Sequence, residues 1–300
     1  MKRPDFLVIG AMKAGSTTLY EDLYGHRDVY LPDKELGFLL DEQITSPVGQ
    51  RRYDALFQSA RPDQFVGDVS ADYAKLPEAE GMAERAVELL GDRLRVVYSV
   101  RNPIDRVVSQ HHHELSYRTM RDPDIDRAVR TEPKLIAYSR YAMQLEPYRR
   151  LVGDEQIKVL CFERYMHDRR AGFAELATFL GLTELVTSTD PHRAFNAAES
   201  NTLPTASTRR LLQSPAYRKV VRPLLSKEVR TTLRRKISRA VPPRPAPPSA
   251  ATIDYLFDSL DDDVATLAGT GFEVPDSWSR EATQARYDVL RSQVATSRPQ

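Results

Sequence analysis

Residues 5–25 read DFLVIGAMKAGSTTLYEDLYG: an apolar run ending in glycine, a short loop closed by a second glycine, then Leu19 and Leu23 at helical spacing before Gly25. An unbroken apolar run bounded by glycine suits a strand buried on both faces, as in a parallel sheet. The leucine spacing predicts a helix over 16–26, with Gly25 as its stop. Strand, glycine loop and helix in direct succession commit the chain to a βα unit, because a parallel strand reaches its neighbour through a crossover, usually helical.

The alternation continues downstream. Strands are predicted at 64–70, at 94–100 (LRVVYSV, rich in β-branched residues) and at 156–162. Helices are predicted at 80–92, stopping at Gly91, and at 102–115, with Asn102 as N-cap and Pro103 first in the helix. Further helices are predicted at 140–152, where Pro147 must start or kink a helix, and at 170–182, stopped by Gly181. The expected fold is α/β and three-layered, with a central, mainly parallel sheet like that of P-loop nucleoside triphosphatases. After about residue 190 the strand signals vanish, and residues 191–300 are expected to be helical additions interrupted by a proline-rich connector at 241–250. Helices are expected at 252–272 and again near the C-terminus, and the whole chain, 1–300, is expected to be one domain with its α/β core in about 1–190.

Bulk properties narrow the partners. The net charge is +1, which gives no global attraction to nucleic acid, so any anion site must arise locally. Cys161 is the sole cysteine, which excludes an intrachain disulfide. FLVIGAM is too short to cross a bilayer and lacks the shape of a signal peptide, so a soluble, cytoplasmic protein is expected. Nothing in the pattern encodes the oligomeric state.

The first loop carries the chemistry. A Walker A loop reads G-x-x-x-x-G-K-[ST], with its lysine directly after the second glycine. Here Gly10, Gly15 and Thr17 keep the spacing, but Ser16 follows Gly15 and the only lysine is Lys13, inside the loop. A glycine loop before a helix presents backbone N–H groups at the positive end of the helix dipole. Lys13, Ala14, Gly15, Ser16, Thr17 and Thr18 are therefore expected to cradle an anion, and the displaced lysine argues for one held without a metal. A second anion element is RNPIDRVVS: Arg101 follows the strand at 94–100, and Ser109 lies about two turns into the next helix. Arginine at the carboxyl end of a parallel strand points into the ligand crevice, and guanidinium binds phosphate bidentately. Taken alone, Arg101 could equally cap a surface turn and Ser109 face solvent.

Together, GAMKAGSTTLYEDL and RNPIDRVVS resemble the 5′-phosphosulfate loop and 3′-phosphate motif of sulfotransferases that use 3′-phosphoadenosine 5′-phosphosulfate (PAPS). HRDVYLPDKELGFL, with K-E-x-x-F, FVGDVSADY, residues 139–168, ELATFLGL and LAGTGFEVPDSW resemble later segments of that family, nearest its heparan-type and bacterial members. The resemblance implies sulfuryl transfer from PAPS to a hydroxyl of a carbohydrate or small natural product, with Lys13 facing the sulfate-bearing phosphate. It implies Glu35 as the base; on its own, a Lys-Glu pair in a loop is an ordinary solvated ion pair. Asp68 is a candidate for orienting the acceptor or Lys13, although heparan-type members carry a lysine just after this acid, where this chain has Val69. The resemblance also implies closure over the nucleotide by the segment after 190, where 195–212 offers Asn196, Asn201, Arg209 and Arg210 with no motif to select among them.

His111, His112 and His113 differ by about 100° per residue around a helix, so they cannot share a metal, and no metal site is expected. One of them could contact the acceptor or serve as an alternative base; surface or packing roles are the other reading. Arg140 and Tyr141 either approach the ligands or pack. Two rivals remain at this stage: a kinase with an aberrant loop, needing ATP and magnesium, and a non-catalytic nucleotide-binding protein.

Overall fold

The computed structural model describes residues 2–183, 202–204, 238–240 and 244–296. Five parallel strands form the central sheet: β1 (Phe6–Gly10), β2 (Val29–Tyr30), β3 (Phe65–Val69), β4 (Arg95–Val100) and β5 (Ile157–Cys161), in the order β2-β3-β1-β4-β5. The apolar run at the N-terminus thus takes the centre. Val8 pairs with Val69 of β3 and with Val97 of β4.

Successive strand residues point to opposite faces, and both faces are covered. On one face Leu7, Ile9, Val96 and Tyr98 pack with α3 (Met82–Leu90) and α7 (Tyr141–Val152). On the other, Phe6, Val8, Val97 and Leu160 pack with α1 (Ser16–Tyr24) and α9 (Arg169–Leu180). Each fully buried aliphatic or phenyl side chain contributes about 1.5–3 kcal/mol, so this double coverage makes the sheet the rigid part of the molecule. A third cluster joins α4 (Pro103–Tyr117), α5 (Ile125–Thr131), α6 (Lys134–Ala137), α10 (Ala250–Ala268) and α11 (Arg280–Thr296) through Ile104, Val107, Leu135, Leu256 and Tyr287. The helical C-terminal additions therefore dock beside the sheet and extend its core.

Local signals explain the boundaries. Asn102 Oδ1 accepts the amides of Ile104 (3.0 Å) and Asp105 (3.2 Å), which caps α4, with Pro103 at its first position. Gly91 and Gly181 stop α3 and α9 as expected. Two expectations change in detail. Pro147 does not start a helix; it lies inside α7. The first turn of α7 is pinned from outside, since the Asp263 carboxylate of α10 accepts the amides of Ala142 (2.9 Å) and Met143 (3.0 Å), and buried Tyr141, Leu145 and Tyr148 hold the rest. Strands also recur after residue 190: β6 (Thr202–Pro204) and β7 (Ser238–Ala240) form an antiparallel pair. Three residues each are too few to display an alternating pattern. Also unforeseen were α2 (Pro47–Asp54), α5, α6, the short β2 and α8 (Phe162–His167). No described helix is long and apolar enough to cross a membrane.

Candidate active site

In an open α/β sheet ligands bind beyond the carboxyl ends of strands whose connections leave to opposite faces. β1 is such a strand here: its following helix, α1, lies on one face, while α3, which follows neighbouring β3, lies on the other. The turn after β1 is held tightly. Ala11 N–H donates to the Ser99 carbonyl (2.7 Å), Ala14 N–H to the Ala11 carbonyl (3.1 Å) and Ser99 Oγ to the Ala14 carbonyl (2.5 Å). Lys13 adopts a left-handed backbone (φ 70°), an uncommon conformation for a residue with a side chain. Gly15 is at φ 87°, and a Cβ there would strike the Phe162 ring, so the second glycine is required twice over. Gly15 is the N-cap of α1 without any side-chain cap, and the first turn of α1 holds no acid. The leading N–H groups of α1 are thus left for an anion, and Ser16, Thr17 and Thr18 add hydroxyls beside them.

The second anion element closes on the first. Arg101 Nη1 lies 3.5 Å from the Lys13 carbonyl oxygen, and its guanidinium sits over the Phe162 ring, 5.3 Å from the centroid. The backbone of Arg101 is clamped by Tyr141, whose hydroxyl donates to the Arg101 carbonyl (2.7 Å) and accepts its amide (3.3 Å). Buried Tyr141 is therefore a support for Arg101, while Arg140 is exposed at the start of α7. Glu163 accepts the next amide, that of Asn102 (2.8 Å). Ser109 is half-buried on α4 and makes no side-chain hydrogen bond among the described residues.

Burial and then Arg101, Lys34 and Arg244 push the Lys13 ammonium down to about 8. Three further cations thus act on Lys13, which itself has no hydrogen-bonded or ion-paired partner among the described residues. Arg244 belongs to the proline-rich connector, more than two hundred residues along the chain from the loop it faces. Such a cluster of cations at a helix terminus without a side-chain cap suits an anionic ligand.

Glu35 stands on the far side of the loop. It too is left-handed (φ 60°), and its amide donates to the Val69 carbonyl (2.9 Å), tying it to the end of β3. Glu35 Oε2 accepts the Ala71 amide (3.0 Å) and the Ser70 hydroxyl (3.3 Å), and Oε1 accepts Lys34 Nζ (2.6 Å). Lys34 Nζ also donates to Ser16 Oγ and Thr17 Oγ1, both at 3.2 Å. The segment around Lys34 and Glu35 is thereby bonded directly to the anion loop.

Asp68 lies one layer deeper. It is wholly buried, and its Oδ2 accepts the hydroxyls of Tyr53 (3.0 Å) and Tyr73 (2.8 Å), while Oδ1 has no partner among the described residues. Burial pushes its carboxyl up to about 6; the two tyrosine hydrogen bonds oppose this, and nearby Glu35 adds to it. The structure joins Asp68 to tyrosines, not to Lys13.

The three histidines diverge. His111 Nε2 is 2.9 Å from the Asp122 carbonyl oxygen, whereas His113 packs on Tyr117 (ring centroids 4.5 Å apart). Burial, and then the charge of Lys13, pushes His113 down to about 4. Among the described residues no three metal-ligating side chains cluster. Asn196, Asn201, Arg209 and Arg210 lie outside the described residues. Lys34, Phe162 and Arg244 are site residues to which sequence reasoning assigned no part, and Tyr141, for which approach to the ligands and packing were both open, packs against the backbone of Arg101.

Comparison with known proteins places the chain in a family. The chain is 24% identical over 206 residues to human heparan sulfate glucosamine 3-O-sulfotransferase 6, covering 65% of this chain and 57% of the relative. It is 24% identical over 208 residues to mouse heparan sulfate glucosamine 3-O-sulfotransferase 3B1, covering 64% of this chain and 49% of that protein. The chain therefore matches about half the length of these relatives. The solved sulfotransferase from Alicyclobacillus acidocaldarius superposes with a TM-score of 0.61 at 20% identity, over 93% of this chain and 99% of that one, which shows a shared fold. The sulfotransferase domain family matches residues 3–227, three-quarters of the chain, and this protein belongs to the sulfotransferase family.

Proposed function

We propose that this protein transfers a sulfuryl group from PAPS to a hydroxyl of a carbohydrate or small natural product. The observation that carries the reading is a juxtaposition: Glu35 stands one lysine away from Ser16 and Thr17 of an anion loop on which Lys13, Arg101 and Arg244 also converge. The named activity of the relatives, at a glucosamine hydroxyl, favours a sugar acceptor. The family's lysine after the acid is replaced here by Val69, so the acceptor is gripped differently.

PAPS supplies the activated sulfuryl group. Lys13 and the N–H groups of residues 14–18 hold the 5′ end of the donor and stabilise charge developing on the leaving phosphate oxygen. Arg101, with Ser109, holds the 3′-phosphate, and Arg244 adds charge from the connector. Glu35 receives the acceptor's proton at Oε1. Asp68, through Tyr53 and Tyr73, fixes the end of β3 from which Ser70 and Ala71 hold Glu35, which makes it a positioning residue. In this reading protein cations, and no divalent ion, balance the donor's charge.

The test compares thermal shifts with 3′-phosphoadenosine 5′-phosphate (PAP) and with ATP plus magnesium, followed by transfer of labelled sulfate to an acceptor panel. PAP is expected to stabilise the protein more than ATP, and Lys13→Ala to lose nearly all transfer. Glu35→Gln is expected to lose turnover while still binding PAP. Preference for magnesium ATP would mark a kinase, and binding of PAP without transfer to any acceptor would mark a nucleotide-binding protein that has lost its chemistry.

A further inference from the structure

Lys34 holds two parts of the site at once. An ammonium has three N–H groups, and those of Lys34 meet three acceptors: Glu35 Oε1, Ser16 Oγ and Thr17 Oγ1. The shortest contact, 2.6 Å, is to the carboxylate; those to the loop hydroxyls are 3.2 Å. On the other carboxylate oxygen, the Ala71 amide and the Ser70 hydroxyl already occupy both lone-pair directions. Of the roughly four acceptor positions on a carboxylate, Lys34 therefore takes one of the two that could receive a substrate proton.

The surrounding charges bias where the ammonium rests. Lys13 feels the like charges of Arg101, Lys34 and Arg244, and with no anion in the loop this repulsion favours Lys34 against Glu35. An anion seated on the Ser16 and Thr17 hydroxyls reverses that field and attracts Lys34 into the loop. The side chains of Lys34 and Glu35 are 17% and 37% exposed, so the ion pair between them is partly screened by solvent.

Resting on the sulfuryl-transfer reading above, we propose that Lys34 is a positioning residue that couples donor loading to release of the base: it is shared with Glu35 in the empty site and drawn to the anion when the loop fills. Seating the donor then frees Oε1, so the base opens to an acceptor only when a donor is in place. Lys34 acts through Glu35 and the loop and need not touch the atoms that react.

PAP binding tests this independently of turnover. Calorimetric titration of PAP into the wild type, Glu35→Gln, Lys34→Met and the double variant forms a cycle. Because Glu35 competes with the ligand for Lys34, Glu35→Gln is expected to tighten PAP binding by about two- to fivefold, and to do so only where Lys34 is present. Lys34→Met is expected to weaken binding, and Lys34→Arg to restore part of it together with the effect of Glu35→Gln. Unchanged or weaker PAP binding in Glu35→Gln overturns the proposal, as does equal tightening in the Lys34→Met background. The Glu35→Gln measurement decides by itself if Lys34→Met fails to fold. Failure of the wild type to bind PAP at all would instead remove the donor reading on which the proposal stands.

Discussion

In the sulfuryl-transfer reading, Lys13 makes donor binding pH-dependent in a range where few side chains titrate. Its ammonium is pushed from the ordinary 10.5 down to about 8, first by burial and then by Arg101, Lys34 and Arg244. At pH 7 about nine-tenths of it is charged, and at pH 9 about one-tenth. An anion binds the charged form, so affinity should be flat below about pH 7 and then fall as pH rises past 8, approaching tenfold per pH unit. If the ligand restores the ordinary value, the fall extends over 10.5 − 8 = 2.5 units, at most about three hundredfold. Binding at pH 8 should take up about half a proton. The empty protein follows the opposite sign. Between the folded and ordinary values the unfolded chain binds the extra proton, so this group's contribution to stability improves as pH rises through that window. Calorimetry of PAP at pH 7, 8 and 9, in buffers of different ionisation enthalpy, measures both affinity and proton uptake; the ligand phosphates, with a second pKa near 6, are about nine-tenths ionised at pH 7 and more so above it. Lys13→Met should bind weakly, with a flatter profile and no matching uptake. A wild-type profile parallel to that of Lys13→Met, or no proton uptake at pH 8 to 9, would refute the reasoning.

Three further outcomes follow from packing and burial. Gly15→Ala puts a methyl group into the Phe162 ring at a left-handed position and should destabilise the fold by about 2 kcal/mol, with Phe162→Ala in the same chain recovering part of the loss in a urea melt. Asp68, pushed up to about 6, binds its proton more readily folded than unfolded, so its contribution to stability declines as pH rises from about 4 to 6. The unfolding free energy of the wild type relative to Asp68→Asn should fall by a few kcal/mol over that range, and a constant difference would contradict it. Arg169 is buried against Asp22 with contacts of 2.8 and 2.6 Å, and Tyr165 adds a third at 2.7 Å, so Arg169→Met should cost about 3–5 kcal/mol in chemical denaturation by stranding the carboxylate.

The α/β core was legible because its signals are local. Buried strands show as apolar runs, Gly25, Gly91 and Gly181 sit where helices end, and Asn102-Pro103 writes the start of α4 in two letters. The form of the first glycine loop was legible for the same reason, since one strand, one turn and one helix build it. What escaped depends on contacts between distant segments. Phe162 looks like any aromatic after a strand until Gly15 and Arg101 are seen against its ring. Arg244 gains meaning only when the connector folds back to Lys13. Pro147 kept its helix because Asp263, on another helix, holds the first turn. Asp68 carries no sign in the sequence of the tyrosines that claim it.

Phe162 opens α8 directly behind the edge strand β5, yet its ring abuts Gly15 on one hand and lies under Arg101 on the other. In the sulfuryl-transfer reading, the span between the grips for the two ends of the donor is therefore gauged by a residue that belongs to neither. On that reading, trimming the ring would let Gly15 and Arg101 drift relative to each other, and discrimination between adenosine bisphosphates of different reach would be lost before attraction to negative charge.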